Sequence, residues 1–255
     1  MFRALCCGHV PVDDAQLLIV FAAPALVDDP AARAAALAVL DDGEHARMQR
    51  YVFARDRDLY LTMHAVQRRL LSAVTGEPPA GWRFVAGAQG RPELAPPRAA
   101  LSVNGSHTHG MTMCGLARGA VIGVDVEQLR NDTPISVSDQ FFSPAEQAAI
   151  RAAPPDQQGA RFLTSWTLKE SYMKARGLGM SLPLDQFTIE LAPGAPPRLH
   201  VEPAWDDGIT WHFEMLRPTP NHLAAVCHNA GQGVPVTVLP DTWATLNATR
   251  DRPIL

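Results

Sequence analysis

Cysteine is scarce in this sequence: four occur in 255 residues, at Cys6, Cys7, Cys114 and Cys227. With no C-x-x-C pair and no regular spacing, neither a disulfide framework nor a structural zinc site is expected, and a reducing cytoplasm is the compartment this usage implies. Long apolar runs are missing too. The stretch Leu17-Leu18-Ile19-Val20-Phe21-Ala22-Ala23 is far shorter than the roughly 20 residues a membrane helix needs, and Asp13 and Asp14 precede it where a signal peptide would carry positive charge. It reads as a buried first strand. Nor does either sign of charge dominate, since 22 basic side chains against 26 acidic ones leave a net charge of -4. A bulk nucleic-acid surface is thereby excluded, and 47% hydrophobic residues exclude a disordered chain. Any anion site must be local.

What is present is a repeated order of elements. Asp29 precedes Pro30 as an N-cap before a first helical position, a second start follows at Asp41 and Asp42, and Leu59, Met63, Val66, Leu70 and Val74 recur at helical spacing up to a stop at Gly76. Arg68 and Arg69 read as a basic flank of that helix. Strands are expected at Trp82 to Val85, at Leu101 to Val103, and at Met111 to Leu116 paired with Ala120 to Val126 through a turn at Arg118-Gly119. A start at Ser143-Pro144, a longer helix around Arg161 to Arg176, and strands at Phe187 to Leu191, Trp211 to Leu216 and Leu223 to Cys227 then replay the order. The expectation is an α+β protein of two similar helix-then-strand subdomains in a pseudo-twofold arrangement, over 1–120 and 121–235, with a loosely packed C-terminal tail at 236–255. A cleft between the two is the natural ligand site.

Two segments carry acid and base together. In Gly123-Val124-Asp125-Val126-Glu127 a strand turns both carboxylates one way and both valines toward the core, an arrangement that suits magnesium but is equally that of a strand with a solvated acidic face. Trp166, Glu170 and Lys174 share a helix stripe, where an exposed ion pair is the plain alternative; the tryptophan argues for a face that is buried or lines a cleft. Asn104-Gly105-Ser106-His107-Thr108-His109-Gly110 joins hydroxyls and imidazoles just after a strand, as an anion loop would. Gly90-Arg91-Pro92 projects a guanidinium on a turn, and Arg47, Arg50, Arg55 and Arg57 cluster in an otherwise acidic chain.

In order, these segments resemble the motifs of the Sfp-type 4'-phosphopantetheinyl transferases: a G-K-P turn, an N-x-S-H segment, a G-x-D-x-E strand and W-x-x-K-E-x-x-x-K. Phe141 to Glu146 and Leu178 to Leu184 are similar to flanking stretches of that family. Arg91 stands where lysine is usual, and Gly105 where an apolar residue is common. The resemblance implies the family fold and transfer of the phosphopantetheine arm of coenzyme A to a serine of an apo acyl or peptidyl carrier protein, with release of 3',5'-ADP. It further implies a monomeric enzyme with Mg2+, replaceable by Mn2+, on Asp125, Glu127 and Glu170. Glu170 and Lys174 are then the catalytic pair, and Arg47, Arg91, Ser106, His107 and Lys174 grip the coenzyme. Neither nucleic acid nor membrane enters as a partner. The segment from Gln128 to Ile135 is expected to be a loop with one cation and exposed apolar groups, either placed to dock the carrier or serving as a plain connector.

Two rival readings make different demands. A metal-dependent phosphohydrolase would use His107, His109, Asp125 and Glu127 and would lack an acceptor protein, but the further histidine or cysteine ligands it wants are missing. A non-catalytic protein of the same fold would most plainly have lost one of Asp125, Glu127, Glu170 or Lys174, and all four are present.

Overall fold

The computed structural model describes residues 15–239 except 88, 97, 99, 131 and 132. Cys6, Cys7, Asp13, Asp14, Asn131, Asp132 and residues 240–255 of the expected tail lie outside that set.

The first half opens with strand β1 (Gln16–Ala22), continues through helices α1 (Pro30–Leu37), α2 (Asp42–Met48) and α3 (Ala54–Thr75), then forms a small hairpin of β2 (Phe84–Ala86) and β3 (Pro92–Leu94), and closes with β4 (Leu101–Thr108) and β5 (Met111–Arg118). The second half runs in the same order: β6 (Ile122–Gln128), α4 (Ser138–Phe141), α5 (Pro144–Ala152), α6 (Gln158–Arg176), the hairpin β7 (Phe187–Glu190) and β8 (Arg198–Val201), then β9 (His212–Thr219) and β10 (His222–His228). The sheets repeat as well. One has the order β1-β5-β4 and the other β6-β10-β9, antiparallel throughout. One addition breaks the symmetry: β11 (Val236–Val238) pairs in parallel with the outer edge of β1. The start of the expected tail is therefore part of the first sheet, where its backbone satisfies an edge that would otherwise stand open.

Local chemistry sets the helix ends. Asp29 accepts from the Ala32 amide at 2.7 Å with Pro30 in the first turn. Asp41 with Glu44, and Ser143 with Glu146, each complete a reciprocal capping box. Gly76 ends α3 and Gly177 ends α6, both left-handed at φ 78° and 67°, a conformation that costs glycine little.

The faces sort as alternation demands. Leu18, Val20 and Ala22 pack on Val66, Leu70 and Val74 of α3. Leu17 and Ile19, on the other face, meet Val124 and Val126 of β6 and Val226 of β10 in a cluster between the two sheets. Beyond the second sheet, α6 buries Leu168, Tyr172 and Met173 against Phe187, Trp211 and Phe213.

Four expectations need correction. The first joined β5 and β6 as a hairpin. The chain does turn there, with Gly119 at φ 71°, but β6 leaves the first sheet and pairs with β10, because Ile122, Val124 and Val126 find their apolar partners between the sheets. The second made 104–108 a loop, whereas β4 runs on to Thr108 in register with β5. The third concerns Arg68, which is no surface flank. It is 0% exposed and bonds Glu44, Asp41 and the carbonyls of Pro79 and Trp82. Burial alone would raise the Glu44 pKa, but hydrogen bonds from His64, the Asp41 amide and Arg68 take it down to about 2, so α2 is pinned to α3 by an ionised pair. Arg69 is likewise buried and reaches the Ala35 carbonyl. The fourth is Ile135, which packs on the cluster of Phe142, Phe162 and Leu223 instead of standing exposed.

Candidate active site

The seam between β6 and α6 is set by a glycine. A Cβ on Gly123 would lie 2.1 Å from the Ser171 carbonyl oxygen and 2.3 Å from the Ala175 nitrogen, so the helix backbone rests directly on the strand at this point. One step along the same face, Asp125 is 4% exposed, which rules out a solvated acidic face. Lys174 Nζ lies 2.7 Å from Asp125 Oδ1, the Ser106 hydroxyl donates to the same oxygen at 2.8 Å, and Lys174 also donates to Ser106 Oγ at 3.0 Å. Asp125 Oδ2 is buried and has no hydrogen-bond partner.

Glu127 continues the row, with the Thr108 hydroxyl 3.4 Å from Oε2. Burial, and after it the negative charge of Asp125, pushes the Glu127 carboxyl up to about 7; Lys174 and a hydrogen bond from Trp166 pull the other way. Burial also raises Glu170, one turn before Lys174, with Lys174 opposing and Asp125 adding to the rise. Trp166 stacks on Phe162 at 6.0 Å and Phe142 at 6.3 Å between centroids; its hydrogen bond to Glu127 and the Lys174–Asp125 pair show that the stripe of Trp166, Glu170 and Lys174 faces the strand.

Beside this seam opens a cleft of about 800 Å³ bounded by Tyr51 and Arg55 of the first half, His107 and Thr108 of β4, Gln128 at the end of β6 and Arg130 just after it. The His107 ring reaches solvent there, yet crowding by its surroundings and then the Lys174 charge hold its pKa below the ordinary value.

Not every expected residue joins the cleft. Arg91 donates to the Ala175 carbonyl at 3.0 Å, to Ser102 Oγ at 3.2 Å and to the Ile122 carbonyl at 3.4 Å. It thus binds at the opposite end of β4 from His107; five residues of strand, at about 3.3 Å each, separate Ser102 from His107. Arg47 is exposed on α2, while Arg57 caps the Tyr51 and Val52 carbonyls. The member of that arginine cluster that lines the cleft is Arg55. Thr108 was missed as well, although it continues the alternation of Ser102, Asn104 and Ser106. His109 lies in the cleft wall, where its carbonyl bonds the His222 ring at 3.0 Å.

The donor set of the seam is hard: three carboxylates, one of them with a buried oxygen that no protein group satisfies. Such oxygens suit a divalent cation like magnesium. Among the described residues no three acidic, histidine or cysteine side chains yet converge into a formed metal cluster, and the Lys174 ammonium holds Asp125 Oδ1. No described helix is long and apolar enough to cross a membrane.

Carboxylates, a lysine and a histidine around an open cleft are the equipment of phosphoryl-group chemistry. A sequence model described as the 4'-phosphopantetheinyl transferase superfamily matches residues 121–227, the segment from β6 to β10 that carries the seam. The chain is 31% identical over 192 residues to the 4'-phosphopantetheinyl transferase HetI of Nostoc sp., covering 74% of this chain and 78% of that one. It is 31% identical over 155 residues to a 4'-phosphopantetheinyl transferase of Bacillus subtilis, covering 61% and 68%, and 29% identical over 220 residues to a phosphopantetheinyl transferase of Thraustochytrium sp., covering 80% and 75%. The chain belongs to the 4'-phosphopantetheinyl transferase family.

Proposed function

We propose that this protein transfers the 4'-phosphopantetheine arm of coenzyme A to a serine hydroxyl of an apo acyl or peptidyl carrier protein, releasing 3',5'-ADP, as a monomeric cytoplasmic enzyme that uses Mg2+ or Mn2+. The observation that carries the reading is the buried, unsatisfied Oδ2 of Asp125, on a face shared with Glu127 and opposed by Glu170 and Lys174.

Asp125, Glu127 and Glu170 would hold the cation, which when bound neutralises charge on the pyrophosphate oxygens. The other work falls to the chain itself. The cleft receives the coenzyme, with His107 and Arg55 facing its phosphates. Glu170 takes the proton of the carrier serine. The serine oxygen then bonds the phosphorus that carries the pantetheine arm, and the bond from that phosphorus to the oxygen of the departing 3',5'-ADP breaks. Lys174, already inside the seam, offsets the charge left on that oxygen.

Production of 3',5'-ADP tests this. It is expected only when coenzyme A, Mg2+ and an apo carrier are all present, and to vanish with a carrier whose acceptor serine is alanine. Phosphate or nucleotide release without a carrier would replace the reading with hydrolysis.

A further inference from the structure

A second hydrogen-bond ladder joins the two halves, and no strand pairing accounts for it. Because β6 is an edge strand, alternate N–H groups point away from β10. Those of Ile122, Val124, Val126 and Gln128 donate to the side-chain oxygens of Ser102, Asn104, Ser106 and Thr108 at 3.3, 2.9, 3.4 and 3.3 Å. Each rung joins residues 20 apart, so β6 runs parallel to β4 in a single register.

We infer that this row of β4 side chains is a register lock, and that Asn104 and Thr108 are positioning residues for the carboxylates of Asp125 and Glu127; their link to catalysis rests on the reading of those carboxylates as metal ligands. A slip of one residue would turn both carboxylates onto the face of Val124 and Val126, inside the apolar cluster between the sheets. A slip of two would leave a β6 amide at one end of the row without an acceptor, and a buried amide without a partner is costly. Only the register observed satisfies all four.

The rungs divide the labour. A hydroxyl has one hydrogen and two lone pairs. Ser106 gives its hydrogen to Asp125 Oδ1 and accepts from Lys174 and the Val126 amide, so its capacity is fully used inside the seam. The residue expected to grip the coenzyme is thus committed to aiming Asp125. Thr108 accepts from the Gln128 amide and donates toward Glu127, doing the same for the second carboxylate. Asn104 touches neither carboxylate. It makes the shortest rung, is 8% exposed, and fixes where the other two fall.

The test uses the full chain with Mn2+ alone, without coenzyme or carrier. Electron paramagnetic resonance measures the Mn2+ dissociation constant, and hydrogen exchange follows the Val124 and Gln128 amides. Asn104→Leu and Thr108→Val are each expected to weaken Mn2+ binding about tenfold or more, the usual effect of losing a group that orients a ligand. Exchange at Val124 should speed up in the first variant and at Gln128 in the second, and Thr108→Ser should restore both affinity and exchange. Unchanged Mn2+ affinity in both apolar variants, or no rescue by serine, overturns the positioning role. If the wild type binds no Mn2+, the metal reading fails instead, and the lock stands or falls on the amides: faster exchange in the variants supports it and unchanged exchange overturns it.

Discussion

In the first half, the face of β1 turned toward α3 carries Leu18, Val20 and Ala22, packed on Val66, Leu70 and Val74. In the second half, the corresponding face of β6, turned toward α6, carries Gly123, Asp125 and Glu127. The same architecture thus uses one seam as core and the other as site. Where the first half gains stability from apolar area, the second forgoes it at Asp125 and brings helix and strand close through a glycine. The deficit is met by other side chains of the same turns of α6, by Tyr172 among Phe187, Trp211 and Phe213 and by buried Lys169, which bonds both oxygens of Glu146 and the Phe187 carbonyl. The first half in turn contributes what the second lacks, a polar row on β4 and the His107 wall of the cleft. Neither half is complete as a catalyst.

The sharpest way to break this contrast is Gly123→Ala. A methyl group 2.1 Å from a main-chain oxygen must push α6 off the strand, so a loss of about 3 kcal/mol in unfolding free energy is expected, together with activity. A variant that unfolds in denaturant like the wild type would show that the helix does not rest on the strand.

Next come paired substitutions on the equivalent seams. Glu170→Gln should lower turnover by roughly 10²–10⁴, and Asp125→Ala should lose at least as much, both with folded spectra. Leu70→Ala, on the apolar seam, should cost about 2–5 kcal/mol of stability while turnover per folded molecule stays near normal. Denaturation curves and steady-state rates on the same preparations check this; a catalytic defect in Leu70→Ala at full folding would erase the distinction between core and site.

A smaller effect separates two of the residues expected to grip the coenzyme, His107 and Arg91. Loss of a charge-assisted bond of about 1.5–3 kcal/mol should raise the KM for coenzyme A about tenfold or more in His107→Ala, with a lesser defect toward dephospho-coenzyme A. Arg91→Ala, which removes bonds to Ala175, Ser102 and Ile122, should instead lower the melting temperature and spare KM. The opposite pattern would restore Arg91 as a coenzyme contact.

The smallest is a pH effect on the metal-free protein. With its pKa raised from 4.5 to about 7, Glu127 holds a proton in the folded state that the unfolded chain has released, so its contribution to stability is present at low pH and is lost as pH rises through about 7. Melting temperatures in chelator should therefore fall from pH 5 to pH 8 more steeply in the wild type than in Glu127→Gln. Parallel curves would place Glu127 in an ordinary solvated setting.

Much of this was legible in the chain. Asp29-Pro30, Ser143-Pro144, Gly76 and Gly177 mark helix ends through local chemistry, which a sequence displays directly. The alternation of Val124 and Val126 with Asp125 and Glu127, and the four-residue spacing of Trp166, Glu170 and Lys174, gather each set on one face of its own element but do not say that the two faces meet. What stayed hidden depends on distant partners. The burial of Arg68 requires Asp41 and Glu44 from another helix, and the exit of β6 from the first sheet depends on β10, about a hundred residues later. Ser102, Asn104, Ser106 and Thr108 alternate like any half-exposed strand; their purpose appears only when the edge of β6 lies beside them. Arg55 differs from Arg47 and Arg57 in nothing but its place on the folded surface.

The most direct test of the central claim is the intact mass of apo carrier proteins after incubation with coenzyme A, Mg2+ and either the wild type or Asp125→Ala, with both proteins verified as folded. The account predicts that the wild type adds one phosphopantetheine arm to the acceptor serine of at least one carrier and that the variant leaves the same carrier almost unmodified. Equal modification by both proteins, or no modification of any carrier by the wild type, would contradict it.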